Sequence, residues 1–150
     1  MIKIVQKDRF DSDAEILAHQ VNVEGFMGAG IAKTVKQKYP HVFKKYQKVC
    51  YDFLPKQLMG NNLYIQVDNN RVIANLFAES LYTCLQDDRK TDYDALRSCF
   101  KKLNSLKKSI AIPYKIGCGL GGGDWQIVFA MIKEEFTDCD IEICSIQPLN

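Results

Sequence analysis

The sequence predicts an α/β domain, on three observations. Apolar stretches of strand length alternate along the chain with segments whose apolar residues recur at helical spacing. Two glycine-rich loops, at residues 25–30 and 117–123, each stand between a strand pattern and a helix pattern. The length of 150 residues, with 47% hydrophobic and 25% charged residues, suits a single packed domain over residues 1–150. In layered α/β domains ligands bind at the carboxyl ends of strands, where these loops lie.

The first half of the chain contains two strand patterns and two helix patterns. Ile2–Val5 is a short strand, and the mostly apolar segment at residues 14–22 predicts a buried central strand. A helix begins at Ile31, because apolar residues recur four positions apart from there. Pro40 ends this helix and suits the first turn of the next one. The second helix has an apolar stripe that consists of Val42, Phe43, Tyr46 and Val49.

The second half opens with a predicted β-hairpin. Residues 63–67 and 71–77 are apolar or alternating around Asp68-Asn69-Asn70, and Asn tolerates the left-handed backbone that tight turns require. The helix pattern of residues 92–106 has Thr91 as its predicted N-cap. The remaining elements are a strand at residues 109–114, a helix at 125–136 and a strand at 141–146.

Composition argues against several classes of protein. The formal net charge of +2 is far below the basic excess of a dedicated nucleic-acid binder, so nucleic acid is not an expected partner. No apolar run reaches the length of a membrane span, so no membrane association is predicted. The apolar stretch at the start of the chain is short and soon gives way to polar residues, which is untypical of a signal peptide.

The cysteines predict buried thiols in a reducing compartment. No CxxC pair occurs among the six cysteines, and the chain has only two histidines, so a zinc site is not expected. Without a secretory signal, free thiols and a cytoplasmic location are predicted.

The two glycine loops are candidate anion sites. The first loop follows an apolar strand and opens a helix, so backbone N–H groups and the helix dipole are available to a phosphate. The alternative is a turn that only reverses the chain. The second loop, at residues 117–123, holds five of the nine glycines, and such clustering costs backbone entropy that turn chemistry alone does not explain. Two such loops in one small domain suggest a ligand with a diphosphate and a flanking sugar.

A dinucleotide-binding fold is a weaker interpretation of the second loop. Gly117, Gly119 and Gly122 satisfy the GxGxxG pattern. However, only one βαβ unit fits after the motif, and the nearby Asp138 and Asp140 precede the next strand, whereas the ribose-binding acid should follow it. The chain also lacks the P-loop and GxSxG motifs, which argues against a P-loop nucleoside triphosphatase and an α/β-hydrolase.

The chain resembles the macrodomain family in two signatures. The first comprises Ile16-Leu-Ala-His-Gln-Val-Asn22, then Gly28-Ala-Gly-Ile-Ala32, then Tyr39-Pro40. The second is Ile112-Pro-Tyr-Lys-Ile-Gly-Cys-Gly-Leu-Gly-Gly-Gly-Asp-Trp125. The likeness extends over nearly the whole chain, with Val72–Leu76 and Thr91–Leu96 included. It implies a three-layer α/β/α sandwich with a mixed central sheet and a cleft for ADP-ribose.

The resemblance also implies which residues bind the ligand. Asp8 matches the family's adenine-contacting acid, and Asn22 matches the asparagine beside the distal ribose. Without the resemblance, Asp8 is equally well explained as a solvated acid at a strand end. The two phosphate-side loops are Gly28, Ala29, Gly30 and Ile31, and Gly117, Cys118, Gly119, Leu120 and Gly121. Cys118 is expected to pack or to donate its backbone N–H rather than to act as a nucleophile. No metal ion and no cofactor is implied.

Two residues are candidates for catalysis. His19 matches a histidine that phosphatase-like members carry three residues before the asparagine, where it would act as a general acid or base. Positions three apart on a strand point to opposite faces, so His19 shares a cleft with Asn22 only if the strand bends or ends between them. A buried core histidine is the alternative. Asp124 would orient water or the distal ribose, with capping of the following helix as its alternative.

One departure from the family concerns a covalent lysine mechanism. Members that release ADP-ribose from protein in this way carry a lysine after the hairpin strands and an acid in the second loop. In an ungapped alignment Cys84 stands in the place of the lysine and Gly121 in the place of the acid, and neither supplies an amine. Lys90 lies nearby and would replace the lysine if the loop is shifted.

The predicted function is therefore hydrolysis of an ADP-ribose derivative. The substrate is either ADP-ribose-1''-phosphate or an ADP-ribosyl ester, with an ADP-ribosylated protein as the possible partner. The alternative is a non-catalytic module that binds ADP-ribose, and a third hypothesis is a general nucleotide or RNA binder.

Overall fold

A mixed β-sheet forms the centre of the fold in the computed structural model, which describes residues 1–82 and 88–149. Its strands are β1 (Ile2–Gln6), β2 (Ile16–Asn22), β3 (Asn62–Asp68), β4 (Arg71–Glu79), β5 (Ile110–Pro113) and β6 (Ile141–Ser145). They are ordered β1-β6-β5-β2-β4-β3 across the sheet. Only β3 runs antiparallel to its neighbour, because the hairpin turn joins it directly to β4. The carboxyl ends of the other strands therefore share one edge of the sheet.

The helices are α1 (Gly30–Lys38), α2 (Pro40–Asp52), α3 (Pro55–Leu58), α4 (Tyr93–Asn104) and α5 (Trp125–Glu135). A 3₁₀ turn, Arg9–Asp11, follows β1. The short α3 was not expected from the sequence, since four residues are too few to show a helical period. Pro40 begins α2 as predicted, because its fixed φ suits the first helical turn.

Two cores lie on opposite faces of the sheet and give the predicted three layers. One face packs against α1 and α2, whose Val35, Val42 and Tyr46 are fully buried with strand residues such as Leu17 and Ile73. The other face packs against α4 and α5, whose core residues include Leu96, Phe100, Val128 and Ile132. The central strand β2 contributes to both cores, which confirms that it is buried on both faces.

The N-cap of α4 differs from the prediction. Asp92, not Thr91, caps this helix, and its carboxylate accepts a hydrogen bond from Ala95 N at 3.0 Å. Thr91 is instead fully buried, and its hydroxyl donates to Gly117 O at 2.8 Å. The residue predicted as a helix cap thus fastens the second glycine loop, which lies far away in sequence.

Within residues 1–82 and 88–149, no helix is long and apolar enough to cross a bilayer.

Candidate functional site

A cleft of about 590 Å³ opens at the carboxyl ends of β2, β4 and β5. The two predicted loops both contribute to its lining. Its lining includes Asn22, Gly28, Ala29, Gly30, Ile31, Gly117, Gly119, Leu120 and Gly121. The parallel arrangement brings the loops together, because β2 and β5 are neighbours and each loop follows one of these strands.

The first loop ends at the N-terminus of α1, which faces the cleft without a protein partner for its charge. Ala29 is the N-cap residue and has no side chain that caps the helix, and the first turn carries no acidic residue. The first N–H groups of a helix have no intrahelical acceptor, and the helix dipole places partial positive charge there. Gly30 has a φ of +58°, a conformation that favours glycine. This end of α1 is therefore suited to an anion.

Asn22 holds the first loop in shape. Its Oδ1 accepts bonds from Glu24 N at 3.1 Å, from Phe26 N at 3.2 Å and from the Tyr46 hydroxyl at 2.7 Å. Its Nδ2 donates to Phe26 O at 2.7 Å, which leaves one N–H of the amide for a ligand in the cleft. In the pairing of β2 with β4 the register shifts between Val21 and Asn22, so that Asn22 lies opposite Glu79.

The second loop is fixed by hydrogen bonds to the segment before α4. Lys90 N and Thr91 N both donate to Gly121 O, at 2.9 and 3.0 Å. A Cβ on Gly121 would lie 2.2 Å from Thr91 Oγ1, so only glycine fits at this position. Gly117 has a φ of +76°, which also favours glycine.

The second loop offers backbone amides to the cleft. The N–H groups of Cys118, Gly122 and Gly123 donate to carbonyl groups of residues 115–119. In the part of the chain that the structure describes, the N–H groups of Gly119, Leu120 and Gly121 have no acceptor. Unpartnered consecutive amides of this kind form a concave anion site.

Two polar side chains that line the cleft, Gln20 and Glu79, were missed by the sequence reasoning. Gln20 Nε2 donates to Thr91 Oγ1 at 2.8 Å and to Glu79 Oε2 at 3.4 Å, while Gln20 Oε1 is buried without a partner among the described residues. Burial raises the pKa of Glu79, and the nearby negative charge of Glu24 adds to this, whereas Gln20 and the positive charge of Lys90 act in the opposite direction. The sequence did contain a signal for both residues, because Gln20 lies near the end of β2 and Glu79 at the end of β4, where ligands bind in such folds.

Lys90 lies at the cleft, as its position in sequence allowed. Its Nζ donates to Leu81 O at 3.1 Å, and the residue lines the same cavity as Glu79. Cys84, the residue aligned with the family's lysine, lies outside the described residues. Gly121 lines the cleft and carries no acid, as the sequence indicated.

His19 does not reach the cleft. Its side chain is fully buried, and Nε2 donates to Asn75 Oδ1 at 2.7 Å. Burial lowers the pKa of His19 to about 4, so the imidazole is neutral at neutral pH. At the end of β2, Gln20, Val21 and Asn22 line the cleft, and His19 does not. The prediction of acid–base chemistry by His19 is therefore corrected to a buried core histidine.

Asp124 also lies outside the lining of the cleft. It is the N-cap of α5, and its exposed carboxylate accepts a bond from Gln126 N at 2.8 Å. The capping alternative thus accounts for the residue, and the proposed catalytic role is not supported by its position. Trp125 packs in the core, where it stacks on Phe129 with ring centroids 5.4 Å apart.

Cys118 is packed rather than presented to a ligand. It does not line the cleft, its backbone N–H donates to Lys115 O at 2.9 Å, and burial raises the pKa of its thiol to about 11. Cys118 is thus the predicted second-loop residue that does not line the cleft. Cys50, Cys99, Cys118, Cys139 and Cys144 are free thiols.

A second cavity of about 690 Å³ adjoins the cleft and shares Arg9, Pro113, Tyr114 and Lys115 with it. Asp8 stands next to Arg9, but its carboxylate accepts a bond from Phe10 N at 2.8 Å and caps the 3₁₀ turn. Asp8 lines neither cavity, so its contact with a base stays a prediction. Among the residues described, no group of three or more His, Cys, Asp or Glu could hold a metal ion.

The comparisons of this chain with known proteins agree on one family. Residues 18–132 match the model of the Macro domain family. A "DNA ADP-ribosyl transferase-DNA ADP-ribosyl glycohydrolase fusion protein" of Thermosipho africanus is 28% identical over 99% of this chain, which spans only 42% of that protein's length. An "ADP-ribose 1''-phosphate phosphatase" of Lodderomyces elongisporus is 26% identical, over 89% of this chain and 91% of its own.

A solved structure gives the same architecture. The macrodomain of Mycobacterium tuberculosis DarG superimposes with a TM-score of 0.80 and 27% identity, over 96% of this chain and 97% of its own. The three-layer α/β/α sandwich with a mixed sheet, predicted from the sequence, is thereby confirmed.

Proposed function

This chain belongs to the macrodomain family, and from that premise we propose that it binds ADP-ribose in the cleft and hydrolyses a derivative of it. The substrate is ADP-ribose-1''-phosphate or an ADP-ribosyl ester, such as ADP-ribose attached to a protein. Residues 1–150 act as one macrodomain without a cofactor or a metal ion. The free thiols favour a reducing compartment, and we propose the cytoplasm.

Two sets of backbone N–H groups in one cleft carry this proposal. The N-terminus of α1, which has no side-chain cap, and residues 119–121, whose N–H groups have no acceptor among the described residues, line the same cleft and could both bind a diphosphate. Few of the lining side chains are basic, so backbone dipoles supply most of the attraction. A cleft of this volume is typical of a small-molecule site.

The two ends of the ligand would occupy different surroundings. The adenine would enter the second cavity, whose lining includes Ile4, Tyr114, Ile146 and Arg9. The distal ribose would lie at the other end of the cleft, against the remaining N–H of the Asn22 amide and the floor formed by Gln20 and Glu79.

The printed activities of the relatives support the hydrolase proposal. One relative is named a 1''-phosphate phosphatase and another contains a glycohydrolase, so both act on bonds at the distal ribose end of ADP-ribose. The same site would hold the substrate while water attacks at that end.

A non-catalytic module is the second candidate, and one observation favours it. Neither His19 nor Asp124, the two residues predicted for catalysis, lines the cleft. A site that only binds ADP-ribose needs the two phosphate loops and no acid–base group.

The experiment that tests binding changes the charge at the α1 N-terminus while it keeps the helix capped. Ala29→Asp supplies an N-cap carboxylate and should stabilise the fold by roughly 1 kcal/mol, yet weaken ADP-ribose binding at least about tenfold by repelling the diphosphate. Ala29→Asn is the matched control, because it caps without charge. Calorimetry measures the affinities. Equal affinity of the two variants, or no binding by the wild type at ~1 mM ADP-ribose, would refute the binding proposal.

Turnover assays on ADP-ribose-1''-phosphate and on an ADP-ribosylated protein separate the hydrolase from the module. Release of phosphate or of ADP-ribose supports the hydrolase. Tight ADP-ribose binding without product from either substrate supports the module. Equal affinity for AMP, RNA and ADP-ribose would favour a general nucleotide binder.

A further inference from the structure

We infer that Glu79 is the general base of the reaction, the group that takes a proton from the attacking water at the distal end of the cleft. This inference rests on the proposed hydrolysis and names the residue that performs its proton transfer. Neither of the residues expected from the sequence is in position for that role, whereas Glu79 lines the cleft.

The position of Glu79 meets the geometric requirement for such a group. Glu79 is the last residue of β4, and it pairs in register with Asn22 at the end of β2, beside the amide that faces the distal ribose. A Cβ on Gly121 would lie 3.0 Å from Glu79 Oε2. The carboxylate therefore lies against the second phosphate loop, between the free amide of Gly121 and the end of β2.

The carboxylate of Glu79 is available, unlike that of its neighbour Glu24. Both oxygens of Glu24 are occupied, Oε2 by the Ser80 hydroxyl at 2.9 Å and Oε1 by Leu81 N at 2.8 Å. Glu79 Oε2 accepts only a long bond of 3.4 Å from Gln20, and Oε1 accepts none from the residues that the structure describes. Glu24 thus shapes the loop, and Glu79 has lone pairs to offer to a water molecule.

The charges around Glu79 suit proton transfer near neutral pH. Partial burial raises its pKa from the ordinary value for a glutamate, and the Glu24 carboxylate acts in the same direction. The hydrogen bond from Gln20 and the positive charge of Lys90 oppose these effects and favour the ionised carboxylate. A carboxylate whose pKa is raised towards the working pH is a stronger base than an exposed one.

Gln20 is a positioning residue for the Glu79 carboxylate. Its Nε2 is held by Thr91 Oγ1 at 2.8 Å, so the amide cannot rotate without losing that bond. The same Nε2 donates to Glu79 Oε2 at 3.4 Å, so it holds the carboxylate at the cleft while the other carboxylate oxygen can accept a proton from the attacking water.

The reaction balances with these groups. The oxygen of the water forms a bond to C1'' of the distal ribose while one water proton passes to Glu79. The bond between C1'' and the oxygen of the leaving group breaks, and the electron pair stays on that oxygen. The Lys90 Nζ ammonium, which lines the same cleft, neutralises the developing charge and donates a proton where the leaving group requires one. The glutamic acid then returns its proton to solvent, and Lys90, where it has donated a proton, regains one from solvent.

The test compares Glu79→Gln with Asp94→Asn, an exposed acid on α4 away from the cleft. Glu79→Gln keeps the shape of the side chain and an oxygen acceptor for Gln20. It should reduce kcat by about 10²–10⁴-fold, the usual effect of a lost general base, while ADP-ribose affinity stays within about threefold. Asp94→Asn should match the wild type in both measurements.

Two further readouts separate catalysis from a structural role. Formate should restore part of the activity of Glu79→Ala, because it replaces the missing carboxylate in the space left by the side chain. The acidic limb of the wild-type profile of kcat against pH, which reports titration of Glu79 beside Glu24 and Lys90, should disappear in Glu79→Gln.

The outcomes distinguish the inference from the proposed function. If the wild type turns over substrate and Glu79→Gln retains more than about a third of kcat, Glu79 is not the base and the hydrolase proposal stands. If the wild type binds ADP-ribose but releases no product, hydrolysis fails and the role of Glu79 fails with it.

Discussion

Gly121→Ala should destabilise this protein more than its single methyl group suggests. The new Cβ would lie 2.2 Å from Thr91 Oγ1, 2.9 Å from Gly117 O and 3.0 Å from Glu79 Oε2. The φ of Gly121 is not positive, so the cost is steric rather than conformational. Relief requires the loop to move away from Thr91, which strains the bonds that Lys90 N and Thr91 N donate to Gly121 O.

The magnitude follows from these contacts. Overpacking costs ~1–3 kcal/mol, and each hydrogen bond weakened by the shift adds about 1 kcal/mol. We expect a loss of roughly 3 kcal/mol in the free energy of unfolding, which is equivalent to a decrease in Tm of about 6–12 °C for a chain of this length. Thermal and urea unfolding, monitored by circular dichroism, measure this change. ADP-ribose affinity should fall as well, because the displaced loop contains the free amides.

Gly119→Ala is the matched control in the same loop. A Cβ at Gly119 meets no atom within 4 Å, and its φ is not positive. Such a substitution should leave stability unchanged or raise it by up to about 1 kcal/mol. Equal stability of the two variants would refute the reasoning.

A double-mutant cycle identifies the atom that causes the clash. Thr91→Ala removes Oγ1, the atom closest to the new Cβ. Gly121→Ala should therefore cost less in the Thr91→Ala background, with a coupling of about 1 kcal/mol or more between the two sites. Strict additivity would mean that Thr91 is not the obstacle.

Three further predictions concern residues outside the proposed reaction. His19 has a pKa of about 4 in the folded state and 6.5 in the unfolded state, so the unfolded state binds more protons between these values. The free energy of unfolding should therefore fall by about 3 kcal/mol as pH falls from 6.5 to 4. Urea unfolding of His19→Gln should show a weaker dependence of this free energy on pH over the same range. Asp124→Ala should lower the free energy of unfolding by ~1 kcal/mol, because it removes the N-cap of α5. Asp124→Asn should keep both the cap and a normal kcat. A large loss of kcat in Asp124→Asn would instead support a catalytic role for Asp124. Tyr46→Phe should cost about 1 kcal/mol and weaken ADP-ribose binding, since the buried hydroxyl donates to Asn22 Oδ1; unchanged calorimetry would show that Asn22 needs no such support.

The order of strands and helices was readable from the chain because local pattern carries it. The buried run at residues 16–22, the hairpin around Asp68 and the amphipathic α4 each show their own period. Helix caps were less readable, since Thr91 and Asp92 are both good N-cap residues and only packing selects between them. Thr91 was drawn away by the carbonyl of Gly117, a partner 26 residues distant.

The sequence by itself determined the fold class and the two glycine-rich loops that line the cleft. Glycines at positions such as Gly30 and Gly117, which adopt positive φ, are chemical requirements that can be seen in the residue type alone. Tertiary structure alone decided which polar side chains face the cleft. Asn22, the last residue of β2, lines the cleft, whereas His19, three residues earlier on the same strand, is fully buried. Because β2 is buried on both faces, its apolar pattern does not distinguish the positions that reach the cleft from those that stay in the core.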